Sequence, residues 1–212
     1  MGISKIEENK LYTFEEYLAL EDLAEERHEY HSGKIIAMAG GTGNHSLIMG
    51  RATTAITNAI DKADKNCSIF TADMKVKIEQ YNKGLYPDIS VVCGDIEYDN
   101  TNETVLNNPI LLIEVLSKST KDYDKGAKFE YYRSIPSFKE YMIVYQSIAK
   151  VQTWYKEAEN CLPRFLGGRI GNAVGLDASI TLHSIGCEVA LKDIYKRIEG
   201  LEETTSDLDE IY

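Results

Sequence analysis

The chain has 212 residues, 43% of them hydrophobic and a formal net charge of −11, which is enough for one domain with a full core and short for two. It lacks an apolar run of the roughly 18–20 residues that cross a bilayer and the basic start of a signal peptide, so we expect a cytoplasmic protein with no membrane partner. Residues 1–30 carry nine acids and three bases, and residues 199–212 carry six acids and no base, so the near-neutral middle excludes a large basic footprint but not local basic patches.

The first half of the chain shows two helical patterns. Thr13 and Glu16 fit a capping box in front of a short helix. A Gly-rich turn then leads to a longer helix, for which Asn44 is the expected N-cap. Its apolar stripe is formed by Leu47, Ile48, Arg51, Ala52, Ala55, Ile56, Ala59 and Ile60.

Strand patterns surround these helices. We expect strands at 33–39, 74–78, 87–93 and 110–116, with a polar loop over 94–108. A helix should follow from Ser119 or Thr120 to about Ser134, because Pro136 then ends it. The remaining pattern predicts strands at 140–145, 149–157, 161–167 and 173–182 and a short helix near 190–198.

Over residues 44–146 the predicted order is α-β-β-β-α-β. With no internal repeat or linker, we expect a single domain over 10–198, of mixed α/β (α+β) class, with a mixed central sheet and additional N- and C-terminal strands. The acidic ends, 1–9 and 199–212, are expected to be flexible.

The four cysteines, Cys67, Cys93, Cys161 and Cys187, are widely separated and lack zinc-ligand spacing. We therefore expect reduced, mostly buried thiols and no zinc.

Glu114 is the most unusual residue in the pattern. It lies inside an apolar strand, on the same face as Leu112 and Leu116. A buried carboxylate costs several kcal/mol unless a cation meets it. That cation is either a metal ion or a lysine, with Lys77 and Lys128 as the candidates.

Asp88 is the natural companion of Glu114. It follows Pro87 at the entrance to the preceding strand, although a turn-forming Asp would fit there too. If the two strands pair, both carboxylates lie at one end of the sheet and can share Mg²⁺ or Mn²⁺.

These motifs resemble a known family. The stretches that carry the resemblance are 86–92, 113–120 and 124–132, together with the α-β-β-β-α-β order. They resemble the restriction-endonuclease-like, PD-(D/E)XK, nuclease superfamily and within it the bacterial Uma family of endonucleases. The resemblance extends from about Phe14 to Tyr195 and implies Asp88 and Glu114 as metal ligands.

One position departs from the superfamily pattern, which has Lys two residues after the Glu where this chain has Leu116. The resemblance implies that Lys128, in the following helix, takes over that role. Lys121, Lys125 and Lys128 have the spacing of one cationic stripe. The alternative is a solvated helix face in which Asp124 and Lys128 form an ordinary i,i+4 pair.

Two further residues are candidates for the site. Glu29 matches an acidic residue that completes the metal site in the superfamily; otherwise it is a surface carboxylate. His45 lies in the first turn of the long helix, where it could contact a phosphate or simply pack and form hydrogen bonds. The preceding glycines do not form a P-loop, because the Gly-Lys-Ser/Thr ending is absent.

The combined hypothesis is a Mg²⁺-dependent endonuclease acting on nucleic acid, with DNA as the expected partner. The catalytic candidates are Asp88, Glu114, Lys128, Glu29 and His45. The alternatives are a degenerate nuclease fold that only binds nucleic acid or protein, and a structural module. A homodimer is expected, since the β-rich part after Pro136 offers an interface.

Overall fold

The computed structural model describes residues 6–7, 10–117, 120–157 and 168–202. Within them, the helices are α1 Phe14–Glu21, α2 Gly43–Lys62, α3 Lys121–Tyr123, α4 Phe129–Arg133 and α5 Leu191–Ile194. A π-helical turn, Asp124–Lys128, joins α3 to α4, and a 3₁₀ turn spans Glu79–Tyr81. None of the described helices is long and apolar enough to cross a membrane.

The strands of the described residues are β1 His28–His31, β2 Lys34–Ala37, β3 Cys67–Thr71, β4 Lys75–Ile78, β5 Lys83–Leu85, β6 Ile89–Cys93, β7 Tyr98–Asp99, β8 Asn102–Leu106, β9 Leu111–Leu116, β10 Glu140–Tyr145, β11 Lys150–Lys156, β12 Gly168–Val174, β13 Ser179–Leu182 and β14 Cys187–Ala190.

The main sheet has the order β12-β11-β10-β9-β6-β3 in the described part of the chain. Strands β9 and β10 are parallel and the other neighbours are antiparallel. Helix α2 covers one face through Ile48, Ala52, Ile56 and Ile60, and the segment that contains α4 covers the other through Tyr132. The predicted mixed α/β fold with a restriction-endonuclease-like core is confirmed.

A second sheet, of order β2-β1-β5-β4-β8-β7 among the described strands, lies under α1. It contains β4, which we predicted to be the first strand of the central sheet. That assignment is wrong, because β3, which the sequence pattern did not reveal, pairs with β6 in the main sheet. The α-β-β-β-α-β order is retained with β3 in first place.

Three smaller expectations need correction. The predicted loop at 94–108 contains β7 and β8, and the strand predicted at 173–182 is two strands, separated by a turn at Gly175 with φ +91°. The strand predicted at 161–167 and Cys161 lie outside the described residues. Glu202 forms an isolated bridge with Ile148, in the connection between β10 and β11, so residues 199–202 are not a free end, and the other residues of the predicted acidic end are not described.

The helix caps were predicted with partial success. Thr13 and Glu16 form the expected capping box. Helix α2 begins earlier than expected, at Gly43, because the Thr42 side chain, and not Asn44, accepts the hydrogen bond from the His45 N–H, at 3.2 Å. Asn44 instead donates through Nδ2 to the Glu199 carbonyl.

The cysteine prediction is wrong for one pair. Cys67 and Cys93 lie directly opposite each other in the β3–β6 ladder and form a disulfide, a pairing that the missed strand concealed. Cys187 is a free, buried thiol, as expected.

The contact between β5 and α1 provides a test of the fold. A Cβ at Gly84 would lie 2.7 Å from Phe14 Cε2 and 3.4 Å from Tyr17 Cε1. Because both rings are buried, Gly84→Ala should lower the free energy of unfolding by about 1–3 kcal/mol, as measured by urea denaturation. Gly50→Ala is the control, because Gly50 lies exposed in α2 with open space around its Cα and should gain roughly 1 kcal/mol. Equal urea midpoints for Gly84→Ala and wild type would contradict the packing.

Candidate active site

Asp88 and Glu114 come together at one end of the main sheet. Ile89 pairs with Ile113 in the antiparallel β6–β9 ladder, so Asp88, one residue before β6, continues the register opposite Glu114. Asp88 Oδ2 accepts a hydrogen bond from the Val115 N–H at 2.7 Å. The predicted adjacency of the two carboxylates on paired strands therefore agrees with the structure.

Lys128 is buried beside Glu114. Its Nζ lies 2.8 Å from Glu114 Oε1 and donates to the Tyr86 carbonyl at 3.2 Å. Lys128 is only 6% exposed, so the alternative of a solvated helix face is wrong at this position. Of the two lysines considered as partners for Glu114, Lys77 pairs instead with Glu79 and Asp99.

The π-helical turn explains why Lys128 points inward while its neighbours do not. An extra residue in the turn rotates the following side chains relative to a regular α-helix, and such turns are frequent at functional sites. Lys121 is exposed, Lys125 is half-buried and Lys128 is buried. The three lysines therefore differ in their surroundings, and the predicted uniform stripe is not formed.

Glu29 reaches the same place from the second sheet. Its Oε1 lies 3.8 Å from Lys128 Nζ, and its Oε2 lies 3.0 Å from His31 Nε2. Burial raises the pKa of Glu29, but the hydrogen bond with His31 and the charge of Lys128 outweigh burial, so the pKa is lowered. Glu29 is thus a buried, ionised member of the cluster and not a surface carboxylate.

His31 is a site residue that the sequence did not suggest. Lys83 Nζ lies 3.0 Å from His31 Nδ1, and because an ammonium can only donate, Nδ1 accepts and Nε2 carries the hydrogen that is donated to Glu29. The available signal was the i,i+2 spacing of Glu29 and His31, which places both side chains on one face of β1.

His45 contacts a carboxylate of the site. Its Nε2 lies 3.2 Å from Asp88 Oδ2, and this hydrogen bond raises the pKa of His45 against the opposing effect of burial. The hydrogen-bonding alternative for His45 is therefore realised in the structure, whereas the phosphate contact stays a prediction.

The charge balance at this end of the sheet is negative. Besides Glu114 and Glu29, Asp124 Oδ1 lies 4.0 Å from Lys128 Nζ. Burial raises the pKa of Glu114 most, and the nearby charges of Asp88 and Asp124 add to that effect against Lys128. Burial by itself lowers the pKa of Lys128, but the surrounding carboxylates raise it well above its ordinary value.

The carboxylates retain donor atoms for a cation. Glu114 Oε1 accepts a hydrogen bond from Tyr132 OH at 2.8 Å and forms the ion pair with Lys128. Asp88 Oδ2 accepts from the Val115 N–H and contacts His45 Nε2. The second oxygens, Glu114 Oε2 and Asp88 Oδ1, make neither a hydrogen bond nor an ion pair with any residue that the structure describes.

This donor set fits Mg²⁺ better than a metal that requires a protein cage. No three His, Cys, Asp or Glu side chains of the described residues are grouped to hold a metal ion. Mg²⁺ typically uses one or two carboxylates and completes its shell with water and substrate phosphates. Asp88 Oδ1 and Glu114 Oε2 are the carboxylate oxygens without a partner among the described residues.

Comparisons with known proteins agree with this architecture. The model of the Uma2 family, described as "Putative restriction endonuclease", matches residues 14–166. The chain is 35% identical over 182 residues to "Uncharacterized protein slr1290" of Synechocystis sp., covering 86% of this chain and 90% of that protein. It is 32% identical over 147 residues to "Uncharacterized protein sll1609" of the same organism, covering 69% and 82%.

A solved structure shares the fold. It is described as a "putative nuclease belonging to DUF820" from Anabaena variabilis, and it superposes with a TM-score of 0.65 at 20% identity. The match covers 87% of this chain and 97% of that one.

The ion pair between Lys128 and Glu114 provides a stability test. Lys128→Met should lower the free energy of unfolding by about 3–5 kcal/mol, because it leaves Glu114 buried without its cation. Adding Glu114→Gln to Lys128→Met should recover part of that loss. Urea denaturation without metal measures both.

Lys77→Met is the control for this cycle. The side chain of Lys77 is 22% exposed, against 7% for Lys128, and it pairs with the exposed Glu79 as well as with Asp99, so its loss should cost less than that of Lys128. A cost for Lys128→Met no greater than that of Lys77→Met would show that the buried pair does not stabilise the fold.

Proposed function

The chain belongs to the Uma2 family, "Putative restriction endonuclease", and on that premise we propose that it is a metal-dependent endonuclease that hydrolyses phosphodiester bonds of DNA. The family match supports a nuclease function in general. The observation that carries the finer proposal is the convergence of Asp88, Glu114 and the buried Lys128 at one end of the main sheet.

Mg²⁺ or Mn²⁺ is the proposed cofactor, which Asp88 and Glu114 would hold. When bound, such an ion lowers the pKa of a water ligand and polarises the scissile phosphate. The surplus of carboxylates over ammonium groups around Glu114 supports this assignment, because a divalent cation would offset the negative charge.

Lys128 acts as a fixed positive charge. The surrounding carboxylates raise the pKa of Lys128, which favours its protonated form. The contacts to Glu114 and the Tyr86 carbonyl hold the ammonium in one position, where it orients the attacking water and offsets the charge that develops on the phosphate.

Glu29 contacts Lys128 from β1, and His45 contacts Asp88 from α2. The ionised Glu29 lies 3.8 Å from Lys128 Nζ and stabilises its protonated form. His45, held by Asp88 in the first turn of α2, has a raised pKa, so its cationic form can donate to a phosphate oxygen together with the N-terminal N–H groups of the helix.

A second candidate function is a nuclease-fold protein that binds nucleic acid without cleaving it. The direct pairing of Lys128 with Glu114 favours it, since this pair satisfies the buried carboxylate without a metal. Calorimetry with Mn²⁺ separates the two: an endonuclease should bind the ion in a manner that Glu114→Gln abolishes, and a degenerate site should not.

We also propose that the protein is a homodimer and is located in the cytoplasm. Light scattering of the purified protein gives its mass in solution, and a monomeric mass would contradict the dimer.

Nicking of a supercoiled plasmid tests the catalytic proposal. Wild type should nick it with Mg²⁺ or Mn²⁺ and not in EDTA. Asp88→Asn and Glu114→Gln keep the size of the side chains but remove one charge, so each should lower the rate by about 100-fold or more.

The matched control is Lys62→Gln, because Lys62 is exposed at the far end of α2 and its loss should leave the rate unchanged. If wild type and Asp88→Asn nick the plasmid equally, or if neither does so, the endonuclease proposal fails.

A further inference from the structure

A cluster of lysines surrounds one tyrosine beside the candidate site. Lys125 Nζ lies 4.9 Å from the centre of the Tyr145 ring, and Lys150 Nζ lies 5.2 Å from it. The charge of Lys121 acts on both Lys125 and Tyr145. We refer to Lys121, Lys125 and Lys150, together with Tyr145, as the lysine cluster.

The cluster has no anionic partner in the described part of the chain. Its three ammonium groups make no ion pair or hydrogen bond with any described residue, whereas Lys77 and Lys128 each face two or more carboxylates. Burial lowers the pKa of Lys125 and the charge of Lys121 lowers it further, while the charge of Asp122 acts in the opposite direction. Like charges gathered in this way repel one another, so the binding of an anion would relieve the repulsion.

Lys150 is held against the Tyr145 ring. The residue as a whole is only 7% exposed, and its Nζ lies over the ring, whose negative face attracts a cation. Its ammonium is not one of the fully buried, unpartnered polar atoms of the described residues, so it is accessible to an anion from solvent. The hydroxyl of Tyr145 donates to Gln152 Oε1 at 2.5 Å, which holds the ring in place.

The cluster lies on the same face and end of the main sheet as the carboxylates. In the parallel β9–β10 ladder Glu114 is opposite Ile143, and Tyr145 is opposite Leu116, two residues further along the same face. Val144 pairs with Val151, so Tyr145 and Lys150 follow as the next opposed residues. Tyr145 and Lys150 therefore lie on the same face as Asp88 and Glu114, two residues further toward the carboxyl ends of β9 and β10.

The π-helical turn connects the two groups. Lys125 and Lys128 belong to the same turn, with Lys128 directed into the carboxylates and Lys125 directed over Tyr145. On the other side, Gln146 donates to the Thr42 hydroxyl at the start of α2, the helix that carries His45.

We propose that the lysine cluster binds a phosphodiester group of the nucleic-acid substrate adjacent to the one that is cleaved. An ammonium group acts as a point charge for phosphate. Lys125 and Lys150 place two of them over the Tyr145 ring, and Lys121 adds a third positive charge to their surroundings. The inference rests on the proposed nuclease function for the identity of the substrate, but it concerns binding and does not require cleavage.

Fluorescence anisotropy with a labelled DNA duplex of about 20 base pairs tests the proposal. EDTA in the buffer prevents cleavage, and the titration is repeated at several salt concentrations. Lys121→Gln and Lys125→Gln are the variants, because these residues are exposed or half-buried, whereas substitution of Lys150 could disturb folding. Each should raise Kd several-fold and reduce the slope of log affinity against log salt by about 0.9 for each phosphate that the variant no longer neutralises.

The controls separate this site from general charge and from the reaction. Lys62→Gln removes the same charge from the far end of α2 and should leave Kd and slope close to wild type. Asp88→Asn should also bind DNA while failing to nick plasmid. If neither wild type nor any variant nicks plasmid but DNA binding depends on Lys121 and Lys125, the endonuclease proposal falls and the phosphate site stands.

Three results would overturn the phosphate site. The first is no binding of DNA by wild type, and the second is an equal Kd and slope in wild type and the Lys121→Gln/Lys125→Gln double variant with unchanged thermal unfolding. The third is competition by polyglutamate as effective as that by unlabelled DNA, which would assign the cluster to an acidic protein segment.

Discussion

The ammonium of Lys128 lies 2.8 Å from the carboxylate of Glu114, and neither charge is tolerable at this depth without the other. This ion pair constrains the positions of two other elements, β9 and the π-helical turn. Strand β9 has to run through the middle of the main sheet to bring Glu114 there, and the π-helical turn has to direct Lys128 inward. This ion pair stabilises the core through Glu114 Oε1 and leaves Glu114 Oε2 without a partner among the described residues.

The second sheet and α1 belong to this site and do not merely cover it. Strand β1 brings Glu29 and His31 to Lys128. Tyr86 donates through its hydroxyl to Glu21 at the end of α1, at 2.8 Å, and its carbonyl accepts from Lys128. The N-terminal elements therefore position the ammonium from both sides. On the opposite flank, the lysine cluster adds positive charge, so that carboxylates and lysines lie on one face of the main sheet.

Much of the core could be predicted because its signals are local. Strands β6, β9 and β10 are continuous apolar runs, and α2 has one apolar stripe ending in the buried Ile60. Strand β3 was missed because its residues are only partly buried and carry no clear alternation. The same gap concealed the Cys67–Cys93 disulfide, since a cross-strand bond cannot be expected without the strand that carries one of its cysteines.

The sequence by itself determined the mixed α/β class and the need for a cation at Glu114, because apolar runs and the cost of a buried charge follow from local pattern. It placed Asp88 beside Glu114 only on the condition that their strands pair, and that pairing is a feature of the tertiary structure. The tertiary structure alone decided which cation lies there now, and it selected Lys128 over Lys77 through the geometry of one π-helical turn. It also brought His31 and Lys150 to the site from distant parts of the chain. Contacts between residues so far apart depend on how the two sheets and the helices pack, and no local pattern records that.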